Sequence, residues 1–201
     1  MAEEDILVIK NFDDLPSYKA YWEEKNQGDD FYPGDDWASM ICQDVSGKRV
    51  MDVGCGQGSF TKYLTDAGNT PAGVDFSLTA VQKTRDKVGN SGFPFIPMVL
   101  EGLNGVSGMM FEQVYCVDVL GGCFEIKKAL EAMIHICSGE LIITVGRFTQ
   151  TILDKQEQVT WNETFMSLEG WTKLFEESNL EIESTEDYET ATSDRTIFRL
   201  K

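Results

Sequence analysis

The sequence predicts an α/β sandwich built on a mostly parallel sheet. Two observations carry that prediction. From Lys48 onward, short apolar runs alternate with segments whose apolar residues recur at helical spacing. No repeat, low-complexity tract or Pro/Gly/Ser linker divides the 201 residues, so the alternation runs through one domain.

The elements follow in order. Residues 1–48 suggest a cap of two short helices, with Tyr18, Tyr21 and Trp22 on one face and Trp37, Met40 and Ile41 on another. The stretch between them, NQGDDFYPGDD (26–36), is loop chemistry. RVMDV (49–53) reads as a buried first strand. A helix follows with Phe60, Tyr63, Leu64 and Ala67 in register, and Gly68 stands just past its end. PAGVDF (71–76) is a second strand, and Ser77 caps a helix to about Val88. FIPMVL (95–100) and FEQVYCVD (111–118) are the third and fourth strands. The helix over 123–137 carries an apolar stripe of Ile126, Ala129, Leu130, Met133, Ile134 and Cys137 that ends at Gly139. ELIITV (140–145) is the fifth strand. A polar stretch of about twenty residues then leads to a helix capped by Ser167, with Leu168, Trp171 and Phe175 on one side. The last strands, near 180–187 and 195–200, leave no room for a helix between them and should pair antiparallel.

Composition bounds the function. With 42% hydrophobic and 11% aromatic residues the chain can bury a sizeable core. No apolar run reaches the roughly 18–20 residues of a membrane span. The acidic start, MAEEDILVIK, lacks the apolar core of a secretory signal, and five cysteines do not suggest a disulfide framework. A reduced, cytoplasmic protein is the expectation. The net charge is −17, with −8 in residues 1–48, −7 in 150–201 and −2 between. Such a surface disfavours nucleic acid and favours neutral or cationic ligands.

The chemistry concentrates in VMDVGCGQGSF (50–60), between the first strand and the first helix. Gly54, Gly56 and Gly58 allow a tight turn and close approach of a ligand, and the helix behind them points free N–H groups at it. The dinucleotide fingerprint G-x-G-x-x-G is not met, because Ser59 stands where its last glycine belongs. Asp52, two residues before the loop, suits an ammonium or sulfonium more than a pyrophosphate. Asp75 ends the second strand, 21 residues after Gly54, where a carboxylate can accept both hydroxyls of a ribose.

These residues resemble the first two motifs of the class I S-adenosylmethionine-dependent methyltransferases, a D-x-G-x-G-x-G loop and an acidic residue ending the second strand. The looser likeness covers about residues 30–200. It implies a Rossmann-like sheet of seven strands, mostly parallel, with an antiparallel last strand and helices on both faces. Residues 1–48 would be the cap, 49–146 the cofactor-binding core, and 147–201 the substrate-side segment with the last helix and strands. The implied cofactor is S-adenosyl-L-methionine, with S-adenosyl-L-homocysteine as product. Gly54, Gly56 and Gly58, with Cys55 as a small filler, would pass beneath its methionine and ribose. Asp52 would face the amino group, Asp75 the ribose, and Phe76 one face of the adenine. Glu101, with Gly102 and Leu103 beside it, would meet the adenine amino group. Asp118 would lie by the methionine end and the substrate.

Methyl transfer needs alignment more than a dedicated catalytic residue. The one histidine, His135, falls on a helix away from the expected site, and no Cys or His cluster has metal spacing. After the fourth strand the chain reads DVLGG, which lacks the D/N-P-P-Y/F signature of amino-methyltransferases acting on DNA and resembles the small-molecule type. Tyr32, Trp37 and Phe148 are the candidate substrate residues, with Trp161 and Phe165 as further pocket walls. The expectation is a methyltransferase for a small or medium neutral or cationic acceptor, a basic protein included. The alternative is a catalytically silent cofactor-binding partner or sensor.

Overall fold

The computed structural model describes residues 6–30, 34–43, 45–89, 94–98, 102, 110–189 and 194–201. In chain order the elements are β1 (Ile6–Ile9), α1 (Leu15–Lys25), α2 (Asp35–Cys42), β2 (Arg49–Val53), α3 (Ser59–Asp66), β3 (Thr70–Asp75), α4 (Leu78–Val88), β4 (Phe95–Pro97), β5 (Phe111–Val117), α5 (Ile126–Ile136), β6 (Cys137–Gly146), α6 (Gln150–Lys155), β7 (Glu163–Met166), α7 (Leu168–Glu177), β8 (Ile182–Glu189) and β9 (Asp194–Leu200).

Seven strands form the main sheet in the order β4-β3-β2-β5-β6-β9-β8. The pairs from β4 to β6 are parallel, whereas β9 runs antiparallel to both β6 and β8. The seven-stranded sheet with an inserted antiparallel last strand is as expected. The central strands show why it is buried on both faces. Leu141, Ile143 and Val145 enter one apolar layer with Met133, Trp171 and Phe175, while Ile142 enters the other with Tyr115, Phe60 and Ile41. Helices α5 and α7 cover the first face, and α2 and α3 the second.

Local signals fix the helix starts. The Ser77 hydroxyl accepts from Ala80 N at 3.0 Å, and that of Ser167 from Gly170 N at 3.1 Å. Asp14 does the same for α1, accepting from Ser17 N at 2.8 Å.

The structure differs from the sequence expectation at the two flanks. The polar stretch after β6 holds α6 and β7, and β7 pairs antiparallel with β1 in a separate two-stranded sheet. Each strand is four residues long, too short for an alternation to show, and its partner lies about 155 positions away. Gly139 does not end a helix but lies inside β6, which follows α5 without a loop. A Cβ at Gly139 would meet Glu112 O, so glycine there serves strand packing. The expected third strand is three residues long where described, and its expected remainder, Val99 and Leu100, lies outside the described residues.

This topology brings one edge of the sheet together. The ends of β3, β2 and β5 lie beside the start of β9, because Arg195 pairs with Gly146 at the end of β6. Along this edge the chain leaves its strands for loops.

Candidate active site

A cavity of about 820 Å³ opens along that edge, walled by the glycine loop, the ends of β2, β3 and β5, the starts of α3 and β9, and the inner face of α1. Among the residues singled out in the sequence, Asp52, Gly54, Cys55, Gly56, Asp75, Phe76, Asp118, Trp37 and Trp161 line it.

All three loop glycines have positive φ, at +77° for Gly54, +51° for Gly56 and +84° for Gly58. Their surroundings separate them. A Cβ at Gly54 would collide with the Val119 side chain, and one at Gly58 with the Thr84 backbone. At Gly56 it would meet nothing within 4 Å. Gly58 does not line the cavity; its lack of a side chain lets the loop lie against α4. Gly56 is therefore the position where the missing side chain leaves room for a ligand.

Asp75 is buried and fastened to that loop. One carboxylate oxygen accepts from Gly56 N at 3.0 Å and the other from Ser77 N at 2.8 Å. Burial pushes its pKa up to about 6 despite those bonds. Asp52 is 2% exposed and accepts from the Thr61 hydroxyl at 2.5 Å. Burial raises its pKa to about 7, with a further rise from the charge of Asp75. No cation pairs with either carboxylate among the described residues. Both are in place to receive donors from a ligand.

Helix α1 roofs this half. The Tyr18 ring stacks on Phe76 with centroids 5.6 Å apart, so one face of Phe76 already has a partner from the protein. Glu23 ties α1 to the start of α4. Its oxygens accept from Leu78 N at 2.5 Å, Thr79 N at 3.1 Å and the Ser77 hydroxyl at 3.1 Å. Burial would raise the Glu23 pKa, but these donors outweigh it and lower it. The loop after α1 is fastened too. Gln57 donates to Gly28 O and Asp29 O, and Lys87 pairs with Asp30 at 2.7 Å.

The far half of the cavity holds a cluster of which sequence reading named Asp118 and Trp161 but missed Arg195, Glu163 and Tyr188. Arg195, 5% exposed, donates from Nη1 to Glu163 at 3.0 Å and places Nε 3.7 Å from Asp118. Trp161 donates to the other Glu163 oxygen at 2.9 Å. Burial raises the pKa of Glu163, and Arg195 offsets part of that rise. Burial opposes the charge on Arg195, but the two carboxylates outweigh it and keep the guanidinium ionised. The Tyr188 phenol donates to Asp118 at 3.0 Å, and burial keeps it protonated. Asp118 has φ +55°, a left-handed conformation that a short polar side chain tolerates. The signal that could have pointed here is Arg195, a charged residue at the opening of the largely apolar strand DRTIFRL (194–200).

Phe148 is placed elsewhere. It packs with Ile152, Val159 and Phe165 beneath α6, away from the cavity lining. Phe148 is partly buried there, and Phe165 beside it is fully buried. Trp37 lines the cavity and packs edge-on to Phe60 at 5.8 Å. Gly102 is half-buried, and Tyr32, Glu101 and Leu103 lie outside the described residues. His135 is exposed on α5, and no group of metal-ligating side chains occurs among the described residues.

Residues 51–139 match the family model of a methyltransferase domain. This segment, from β2 into β6, is a methyltransferase domain. Solved structures of the same fold cover nearly all of the chain. Magnesium protoporphyrin IX methyltransferase from Synechocystis PCC 6803, with bound S-adenosylhomocysteine, superposes with a TM-score of 0.74 at 18% identity, over 93% of this chain and 99% of that one. The N-methyltransferase NodS from Bradyrhizobium japonicum WM9 gives 0.70 at 14% identity, over 91% and 97%. The 1,6-didemethyltoxoflavin-N1-methyltransferase of Burkholderia thailandensis gives 0.69 at 12%, over 97% and 93%. Comparison with curated protein sequences gives no match. The family's methyl donor is S-adenosylmethionine, so the expectations of family, fold, enzyme class and cofactor hold.

Proposed function

We propose that this methyltransferase transfers a methyl group from S-adenosylmethionine to a small or medium-sized acceptor, neutral or cationic. The observation that carries the reading is the open space at Gly56 between two buried carboxylates that have no cation of their own. Such groups fit a ligand with an ammonium at one end and a ribose diol at the other. Asp52 would hold the amino group, Asp75 the ribose hydroxyls, and the loop from Gly54 to Gly56 the chain between them. When bound, the cofactor supplies an electrophilic methyl on a sulfonium. The protein's part is to align the acceptor against it and exclude water, which α1 does by roofing the cavity.

The acceptor reading draws on the cavity walls. Tyr21, Trp22, Phe124 and Trp161 line the cavity, a surface that suits flat or cationic groups. Neighbours of the same fold are named for small-molecule acceptors, a magnesium porphyrin and a toxoflavin precursor. A basic protein tail remains a second form of cationic acceptor. Steering by the acidic loop would rest on the exposed Asp29 and Asp36, since Lys87 already pairs with Asp30. We read the chain as one methyltransferase domain with an N-terminal cap, working in the cytoplasm. The five cysteines are free thiols, and no described helix is long and apolar enough to cross a membrane.

Titration calorimetry with S-adenosylmethionine, S-adenosylhomocysteine and NADH tests the cofactor assignment. Heat with both sulfur nucleosides and none with NADH is expected. Binding of NADH alone would refute it. Incubation with methyl-labelled donor and a metabolite extract, read by mass spectrometry, would then identify the acceptor.

A further inference from the structure

The carboxylate of Asp118 is held unevenly. The Thr144 hydroxyl accepts from Asp118 N at 2.7 Å and donates to Oδ1 at 2.7 Å, which pins the residue in its left-handed conformation. The Tyr188 phenol also donates to Oδ1, and Arg195 Nε lies nearest the same atom. Every contact of the carboxylate among the described residues falls on Oδ1. The side chain is nonetheless 30% exposed and lines the cavity, which leaves Oδ2 to the open space. Glu163 offers no such atom. Its two oxygens are taken by Arg195 and Trp161, and it is 2% exposed.

We infer that Asp118 recognises the acceptor by taking a hydrogen bond on Oδ2 from the N–H or O–H that becomes methylated, with Tyr188 and Thr144 as the positioning residues that hold it. The inference rests on the methyltransferase reading and narrows its substrate class to nucleophiles that bear a proton. Methylation of such a group forms one bond from nitrogen or oxygen to carbon and breaks the methyl–sulfur bond, whose electron pair stays on sulfur. It releases one proton, and Oδ2 takes it. A carboxylate fixed by two hydroxyl donors and a neighbouring guanidinium holds the accepting oxygen in place, because its lone pair need not be reoriented when the acceptor arrives. An acceptor with no proton to give, such as a tertiary amine or a thioether, would leave Oδ2 desolvated and unpaired.

Four fluorescent probes sharing one ring system test this. Two carry the donor, 7-amino-4-methylcoumarin and 7-hydroxy-4-methylcoumarin. Two are capped, 7-dimethylamino-4-methylcoumarin and 7-methoxy-4-methylcoumarin. The wild type is first titrated with S-adenosylhomocysteine by calorimetry. Failure at that step counts against the methyltransferase reading, whereas the probes on the saturated protein address Asp118 alone. Fluorescence anisotropy should show each donor probe binding at least tenfold tighter than its capped partner, and Asp118→Asn should erase the preference. Tyr188→Phe should lower the preference at least threefold while leaving capped-probe binding unchanged, because the carboxylate loses one of the donors that aim its lone pair. The other groups facing Asp118 are Arg195 from β9 and Glu163 from β7, and both remain in that variant. Equal binding of donor and capped probes, no binding by any of the four, or a preference that survives Asp118→Asn would overturn the inference.

Discussion

The two halves of the cavity treat their carboxylates in opposite ways. On the glycine-loop side, Asp52 and Asp75 are buried beside hydroxyl and backbone donors, and burial pushes both pKa values up. On the far side, Asp118 and Glu163 share the buried guanidinium of Arg195. The first half is electrostatically incomplete until a cationic ligand with donors arrives. The second carries its own cation, and only Oδ2 of Asp118 is left to a ligand. A buried charge pair held within the protein contributes to the folded state, while an uncompensated carboxylate holds its binding energy in reserve for a ligand. Variants on the two sides should therefore separate stability from affinity.

The largest effect is expected at Arg195. Arg195→Met would strand two carboxylates and should cost about 3–5 kcal/mol of stability, read as a lower midpoint in urea. A midpoint like the parent's would mean that the two halves are built alike. Asp75→Ala comes next and should act on affinity. Two charge-assisted hydrogen bonds to the ribose, each worth roughly 1.5–3 kcal/mol, would be lost, so binding of S-adenosylhomocysteine should weaken at least tenfold. Unchanged affinity would move the ribose away from this carboxylate.

A paired substitution sharpens the glycine argument. Gly56 and Gly89 both have positive φ and open space where a Cβ would stand, but only Gly56 lines the cavity. Alanine at either site should cost about 1–2 kcal/mol of stability through backbone strain. Only Gly56→Ala should also weaken cofactor binding. Equal binding losses would show that the loop acts through folding alone.

The smallest effect is a pH dependence. With its pKa raised to about 7, Asp52 is partly protonated in the free protein at neutral pH. An ammonium partner would favour the ionised form, so binding should release a proton and weaken as pH falls below about 7. Calorimetry in buffers of different ionisation enthalpy would detect that proton, and Asp52→Asn should abolish it. The free protein follows the opposite course. Between the ordinary value of 3.8 and about 7, the folded form binds more protons at Asp52 than the unfolded form, so this residue's contribution to stability falls as pH rises.

How much of this was legible in the sequence follows from distance along the chain. The bonds that make the cofactor half, Gly56 to Asp75 and Thr61 to Asp52, span 19 and 9 residues, inside one strand–loop–helix–strand unit whose spacing is readable. The far half joins Asp118 to Tyr188 across 70 residues and Asn11 to Asn162 across 151. No local period encodes such pairs. Aromatic residues misled for a related reason. Phe148 and Trp161 sit in the same polar stretch, and only the pairing of β7 with β1 decides that one joins a small core while the other walls the cavity. Glu23 was invisible because its work is done on backbone N–H groups of α4, which any sequence presents.

The pairing of β1 with β7 has a consequence for synthesis on the ribosome. Ile6 to Ile9 emerge early but must wait for Glu163 to Met166 before they have a partner, and Asn11 waits for Asn162. The glycine loop and its carboxylates can assemble meanwhile, since β2, α3 and β3 are consecutive. The nascent chain would then hold a finished cofactor cradle whose roof is tied to α4 through Glu23 but still open at β1 until β7 has been made.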